Sequence, residues 1–254
     1  MLAACAVHYD LDFGLVIRYL AGEYTADWRD TDGILAAVRG LVSEEDYKHM
    51  ERILNFGCPA DFSWEEPAVN KMAFLNRGNH TTITENMPVV IKTMNKEKRN
   101  SNVIPFPRYF CFFSPYARST PQTVVNAKRV DKKARLCWDG TSTMFAQEFP
   151  MNEMTPTTNE AEVTFGYVYL HFCIWIWNLR ITYPNEEILL AFIDISSCFR
   201  WPCIFPCLAA AFGFVIGPLF YAANAMVFGS IVSSSSWEPF RRAISALAES
   251  YHGK

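Results

Sequence analysis

The chain has 254 residues, of which 50% are hydrophobic and 19% are charged; this is enough for one or two domains with a sizeable core and excludes a disordered tail. Its eight cysteines include no CxxC pair, which argues against a zinc site. Its first ten residues lack the basic start of a secretion signal, which favours a reducing, intracellular setting in the cytoplasm or nucleus. The net charge of −3 hides a basic segment, residues 92–136, with 11 Lys and Arg against two acidic residues. Such a segment predicts a phosphate-contacting surface, with a solvated face or loop as the alternative.

Residues 1–90 are predicted to form a helical leader without chemistry of its own. Apolar residues at helical spacing predict one helix from Asp30 to Val42. Ser43, followed three residues later by Asp46, is typical of a capping box that begins the next helix. That helix is expected to end at Phe56, before Gly57.

Residues 91–160 are predicted to form a second region, in which basic and aromatic residues alternate between prolines. This mixture suits a surface that holds a nucleic-acid strand by charge and stacking, although the aromatics could equally be the core of a small sheet. Residues 124–128 and 134–140 predict the two strands of a hairpin around the polar turn 129–133. Two basic residues across a hairpin are, taken alone, more often surface charges.

Residues 161–254 form the third predicted region, which begins with a helix. Residues 163–179 are apolar almost throughout and predict a helix buried on most sides. Six apolar residues, Ile188 to Ile193, then predict a buried strand that ends on Asp194. A buried carboxylate needs a partner, and either a metal cation or the backbone of a following turn could supply it.

No charged residue occurs from Trp201 to Trp237. By length this run qualifies as a membrane span over residues 203–232, but Pro, Gly and Asn interrupt it every few residues, which favours buried turns, short strands and a helix start. Phe228-Gly229 marks a turn in which a glycine permits a close backbone approach. Trp237 to Ala248 predicts a helix with Pro239 in its first turn.

The order of these motifs resembles reverse transcriptases of long-terminal-repeat retrotransposons, and is most similar to related polymerase-like proteins of unicellular algae. In that family a strand ends on a metal-binding Asp, an aromatic follows five residues later, and a Phe-Gly turn leads into a Pro-containing helix. The resemblance implies an α+β fold that is a partial right-hand polymerase. It would comprise the helical leader 1–90, a fingers-like region 91–160 and an incomplete palm 161–254.

The resemblance also implies an activity and its residues. The reaction would be template-directed DNA synthesis on an RNA or DNA template-primer from deoxynucleoside triphosphates, with Mg²⁺ as cofactor and no membrane. Asp194 would be catalytic and would bind Mg²⁺ together with the backbone carbonyl of Ile195. The expected nucleotide-binding residues are Lys128 and Arg135 on the triphosphate, Phe199 under the sugar, and Phe228 and Gly229 beside the nucleotide. By position alone, Phe199 could be an ordinary core residue and Gly229 an ordinary turn glycine.

One part of the family pattern is missing. The family has a second metal-binding hairpin with an Asp-Asp pair, and no such pair occurs in this sequence. The expectation is therefore a reverse transcriptase fragment, truncated before that motif and inactive alone. Two alternatives stay open: an integral membrane protein that spans with residues 203–232, and a nucleic-acid-binding module without catalysis.

Overall fold

The fold is mixed α+β, as the sequence predicted. It was obtained as a computed structural model, which describes residues 8, 15–17, 19–20, 30–60, 68–126, 128, 133–143, 150–155, 161, 163, 168–189, 195 and 198–252. The α-helices of these residues are α1 (Thr31–Val38), α2 (Glu44–Phe56), α3 (Ala68–Arg77), α4 (Thr81–Glu85), α5 (Met87–Arg99), α6 (Met151–Met154), α7 (Val168–Thr182) and α8 (Ile231–His252). The strands are β1 (Val103–Pro107), β2 (Gln122–Val125), β3 (Arg135–Trp138), β4 (Phe214–Ile216) and β5 (Leu219–Ala223). Short 3₁₀ helices form at Arg108–Phe113, Cys198–Arg200 and Pro206–Leu208.

A three-stranded antiparallel sheet in the order β1-β5-β4 lies at the centre of the fold. Residue 103 pairs with residue 223, and residue 214 with residue 221. Alternate residues face opposite sides: Val103 and Tyr221 join one hydrophobic cluster, whereas Ile104 and Phe220 join the other. Because both faces are covered, this sheet needs apolar residues on both sides, and the uncharged sequence of β4 and β5 supplies them.

The region from 203 to 232 is broken into several elements rather than forming one rod. It contains the 3₁₀ turn Pro206–Leu208, both strands β4 and β5, and the first residues of α8. Most of these side chains are buried, as expected for turns and short strands inside a core. Within the described part of the chain, no helix combines the length and apolar character needed to cross a bilayer.

The capping signal at Ser43 is confirmed, and the first predicted helix forms over a shorter range, Thr31–Val38, with a cap that was not predicted. The Asp30 side chain caps α1 by accepting a hydrogen bond of 2.8 Å from the Gly33 N–H. The Ser43 hydroxyl accepts from the Asp46 N–H at 3.1 Å, and α2 ends at Gly57, whose positive φ of 92° suits a glycine. The contacts of Ser43 and Gly57 are local, so short sequence patterns were enough to predict them.

The prediction for Pro239 was wrong. Helix α8 begins at Ile231, eight residues before the proline, so Pro239 lies in the helix interior and supplies no N–H to the carbonyl oxygen four residues earlier. The first two turns are nevertheless helical because Val232 and Trp237 are buried in the core cluster. Burial of these side chains has outweighed the cost of a proline inside a helix, which is about 3 kcal/mol relative to alanine.

The burial predicted for residues 163–179 was also wrong. The helix that forms, α7, exposes most of its large apolar side chains to solvent: Trp177 is 67% exposed and Ile181 is 64% exposed. Neither side of its sequence is polar, so its pattern could not say which side would be covered. Of the predicted strand 188–193, the described residues 188 and 189 are irregular, and Leu189 is 80% exposed.

Candidate nucleotide and nucleic-acid interface

The predicted hairpin forms, and its returning strand packs against the Phe-Gly turn. In β2 and β3, Gln122 pairs with Trp138 and Val125 with Arg135. The Trp138 N–H donates a hydrogen bond of 3.1 Å to the carbonyl oxygen of Phe228. This bond joins two segments that the family resemblance had assigned to the same nucleotide.

Gly229 is required at its position by this contact. Its φ of 118° is a conformation that side-chain-bearing residues rarely adopt, and a Cβ there would lie 2.0 Å from the carbonyl oxygen of Trp138. The close approach that the glycine permits is therefore made by the protein's own strand β3.

Asn152 fixes the other side of the turn. Its Nδ2 donates to the carbonyl oxygen of Gly229 at 3.0 Å, and its Oδ1 accepts from the N–H of Ile231 at 3.0 Å. One amide side chain thus holds the end of the turn and the first N–H of α8 together.

An open groove of about 400 Å³ lies over this turn. Three of the predicted nucleotide-binding residues, Phe199, Phe228 and Gly229, are among those that line it. The rings of Phe199 and Phe228 have centroids 6.1 Å apart and planes inclined at 52°. The remaining lining residues are Asn152, Ser230, Ile231, Ser233 and Ser234.

Phe199 is positioned through its neighbour Arg200. The guanidinium Nε of Arg200 lies 3.2 Å from Oε2 of Glu97 in α5, and its Nη1 donates to the carbonyl oxygen of Met226 at 3.0 Å. Burial lowers the pKa of Arg200, and the carboxylate of Glu97 acts in the opposite direction. The cation therefore ties the 3₁₀ turn that carries Phe199 to α5 and to the residues before the Phe-Gly turn.

Lys128 and Arg135 are not among the residues that line the groove. Lys128 was expected within the first strand, but β2 ends at Val125 and Lys128 lies in an exposed turn. Arg135 is exposed at the start of β3, three residues before Trp138, which corresponds to about 10 Å along a strand. The structure thus separates the predicted site into a groove and a pair of cations further along the hairpin.

Helix α5 presents a row of cations that the resemblance did not assign. Lys92, Lys96 and Arg99 follow at spacings of four and three residues, are all exposed, and span about 10 Å of helix. Helix α5 packs against β3, the strand that carries Arg135. The cations of α5 and of the hairpin therefore belong to neighbouring elements, as a phosphate-contacting surface requires.

The expected magnesium ligand Asp194 lies outside the described residues. Ile195, its expected companion, is half-buried, and its carbonyl oxygen accepts a hydrogen bond of 3.3 Å from the Cys198 N–H. Among the residues that the structure describes, no group of three or more His, Cys, Asp or Glu could hold a metal ion. The described residues alone do not form a magnesium site.

His80 and Asp139 form a pair that the sequence did not indicate. His80 Nε2 lies 2.8 Å from Oδ2 of Asp139, and the Thr141 hydroxyl donates to Oδ1 at 2.7 Å. Burial acts to raise the pKa of Asp139, but the hydrogen bonds from Thr141 and His80 outweigh it and lower that pKa. The Asp139 N–H also binds the carbonyl oxygen of Pro121, so the pair secures the base of the hairpin.

Sequence reasoning missed Trp138, Asn152 and Ser230. Asn152 lies just after Pro150, in a segment that reads only as a polar connection, and nothing in the chain order relates it to Gly229. The serines at 230 and 233–236 were visible as the end of the uncharged run, but their position at a helix N-terminus depends on where α8 begins. Arg241 and Arg242, further along α8, both bind Glu238.

Comparisons of the chain with models of known protein families, with curated protein sequences and with solved structures found no match.

Proposed function

We propose that this chain is part of the fingers and palm of a reverse transcriptase of the retrotransposon type, and that it binds a template-primer and a deoxynucleoside triphosphate inside the cell. The observation that carries the proposal is the hydrogen bond from the Trp138 N–H to the Phe228 carbonyl oxygen. It joins a basic hairpin to a Phe-Gly turn 90 residues away. The family resemblance implies that both elements contact the same nucleotide.

In this proposal the nucleotide is bound from two directions. Phe199, Phe228 and Gly229 form the groove beside its sugar and base, and Lys128 with Arg135 reach its phosphates from the hairpin. Arginine holds two phosphate oxygens at once, and both cations oppose the charge of the triphosphate. For an exposed hairpin to act in this way, it would have to bend toward the groove when the nucleotide binds.

Magnesium enters the proposal only through Asp194 and the carbonyl of Ile195. When bound there, it would neutralise charge on the reacting phosphate. One carboxylate does not hold the two ions of a polymerase, so we expect no nucleotide incorporation by this chain alone. A primer-extension assay with magnesium tests this, and measurable incorporation would contradict the expected inactivity.

Binding of a labelled template-primer tests the proposal itself. Replacing Lys128→Gln and Arg135→Gln together is expected to weaken binding about tenfold at low salt and to reduce the dependence of affinity on salt. The matched control is Lys48→Gln with Arg52→Gln, which removes two exposed cations from α2. Equal losses in both double variants would show non-specific attraction and would remove the support for the proposal.

A nucleic-acid-binding module without catalysis is the second candidate, and the exposed cations Lys92, Lys96 and Arg99 favour it. It predicts binding that survives Asp194→Asn and does not respond to deoxynucleoside triphosphates. The polymerase fragment predicts instead that a triphosphate stabilises the complex with the template-primer. Thermal unfolding of the complex with and without the triphosphate separates the two candidates.

A further inference from the structure

Helix α8 begins at the floor of the groove. Its 22 residues start at Ile231, and both Ser230 and Ile231 line the groove. The N-terminus of a helix carries a partial positive charge and N–H groups without partners in the helix, which together attract an anion. The lining side chains include no cation, so this helix end is the groove's own source of positive potential.

Ser230 supplies a second, independent indication of a ligand. The residue is only 6% exposed, and within the described residues its hydroxyl is buried without a hydrogen-bond partner. A serine before a helix normally caps it by accepting from the N–H of the second or third helical residue. Here the Ser233 N–H bonds instead to the backbone carbonyl oxygen of Ser230, at 3.2 Å.

Two polar groups beside the Ser230 hydroxyl have partners of their own. The Ser233 hydroxyl donates to the carbonyl oxygen of Val227 at 2.6 Å, and the first helical N–H is bound by Asn152. A buried hydroxyl without a partner costs about 1–3 kcal/mol, so such groups are rare and call for an explanation. Ser230 is among the residues that line the groove, so rotation of its side chain toward the groove would let a ligand oxygen there provide the missing partner.

The other wall of the groove is aromatic. The rings of Phe199 and Phe228 face it, and Phe228 is 45% exposed. Aromatic rings stack on nucleic-acid bases with a gain of about 1–3 kcal/mol per base. The volume of about 400 Å³ falls in the range of small-molecule sites.

We propose that this groove binds a nucleoside phosphate, with the phosphate at the start of α8 as a hydrogen-bond acceptor for Ser230 and the base on the ring of Phe228. This deepens the proposed function, on which the choice of a nucleotide rests. It adds a phosphate-binding residue that is separate from Lys128 and Arg135. Both Ser230 and Phe228 are needed, one for the phosphate and the other for the base.

The test is titration of the ¹⁵N-labelled chain with adenosine 5′-monophosphate and, separately, with adenosine, followed by the amide resonances of residues 230–234. The monophosphate is expected to bind about tenfold more tightly than adenosine. Ser230→Ala is expected to weaken monophosphate binding about tenfold and to leave adenosine binding unchanged, since a hydrogen bond to a charged group is worth about one power of ten in affinity or more. Phe228→Leu is expected to weaken both ligands equally.

Ser245→Ala is the matched control, because Ser245 lies exposed in the same helix away from the groove. Ser230→Ala removes a buried hydroxyl that has no partner among the described residues, so the variant is expected to fold with a thermal midpoint that is unchanged or higher. Equal affinity for adenosine and its monophosphate, or unchanged monophosphate binding in Ser230→Ala, would overturn the proposal.

Failure of this site and failure of the proposed function are distinguishable. If the monophosphate binds at Ser230 but template-primer binding does not depend on Lys128 and Arg135, the groove stands and the polymerase proposal falls. If the template-primer binds through the hairpin while the amides of residues 230–234 do not respond to the monophosphate, the polymerase proposal stands and the groove proposal falls.

Discussion

Arg242 in the last helix donates a hydrogen bond of 2.9 Å to the carboxylate of Asp46, 196 residues earlier in the chain. Asp46 also accepts from the Ser43 hydroxyl at 2.9 Å, so the residue that helps to cap α2 also binds α8. Glu238 completes the network by accepting from Arg242 at 3.0 Å and from Arg241 at 2.6 Å. The leader is thus joined to α8 by the buried carboxylate of Asp46 as well as by apolar packing.

Asp46→Asn is expected to destabilise the fold by about 1–2 kcal/mol. The change keeps the side-chain shape but removes the charge that faces Arg242. The expected value lies between those of exposed and buried ion pairs because the Arg242 side chain is about one-third exposed. Urea unfolding of the variant measures it.

The control for Asp46 is Glu44→Gln, which disrupts a solvent-exposed pair with Lys48 and is expected to change nothing measurable. A double-mutant cycle with Arg242→Gln isolates the coupling between the two side chains. If the two single changes were additive, the network would have no role in joining the leader to α8.

Glu238 is expected to make the fold sensitive to acid. Hydrogen bonding from Arg241 lowers its pKa below the usual 4.5, with Arg242 acting in the same direction and burial against it. A carboxyl whose pKa is lower in the folded state contributes stability above its unfolded pKa and loses it as the pH falls through the folded value. Stability of the native chain is therefore expected to decline below about pH 4.5.

Glu238→Gln is expected to flatten that decline while lowering stability at pH 7. The measurement is the free energy of unfolding between pH 3 and pH 7 in both proteins, with exposed Glu249→Gln as the control in the same helix. An identical acid dependence in Glu238→Gln and the native chain would refute this assignment.

Gly229→Ala is expected to cost about 3 kcal/mol or more. The substitution combines an unfavourable φ with a clash against the backbone carbonyl oxygen of Trp138, which belongs to a strand and cannot move aside alone. Gly217→Ala is the control because its φ is also positive, at 59°, but a Cβ there meets no atom within 4 Å. It is expected to cost only about 1 kcal/mol.

The difference between the two glycine variants, measured by thermal unfolding, reports the close approach of β3 to the Phe-Gly turn. Similar losses of stability in both would mean that the backbone conformation alone, rather than contact with Trp138, requires the glycine at 229.

Exposed cysteines are expected to react faster with thiol reagents than buried ones. Burial raises the pKa of the Cys111 thiol to about 11, so its reactive thiolate is scarce at pH 8, whereas Cys173 is exposed on α7. Labelling of the native chain with a thiol reagent at pH 8 is expected to include Cys173 in its fast phase. Cys173→Ser is expected to remove one fast-reacting group, and Cys111→Ser is expected to remove none. A fast phase that lost a group in Cys111→Ser would contradict the burial of that side chain.

Local features of the fold could be predicted because each rests on residues close in sequence. Ser43 marks the start of α2 and Gly57 marks its end, through contacts with the first and last turns of that helix. The hairpin of β2 and β3 followed from two apolar stretches around a polar turn, and its strands were placed to within a few residues. The Pro, Gly and Asn residues that interrupt the uncharged run 201–237 correctly indicated buried turns, short strands and the start of a helix.

The candidate site was only partly predictable because several of its contacts join residues that are distant in sequence. Phe199, Phe228 and Gly229 were named from the chain order, and the structure brings them into one groove. Asn152 and the Ser230 hydroxyl gain their significance from segments that are distant in sequence or from the point where α8 begins. The exposure of α7 and the partners of Arg242 depend on similar contacts between distant segments.

The sequence by itself determined that helices and strands both occur, the two ends of α2, the hairpin and the apolar centre, because spacing and turn chemistry act within a few residues. Only the tertiary structure decided that α8 continues through Pro239, that Asp46 binds Arg242, and that Trp138 lies against Gly229. In each case the free energy comes from burial and contacts between distant segments. The free energy of these contacts exceeds that of the local preferences, and the contacts produce no regular spacing of residue types in the sequence.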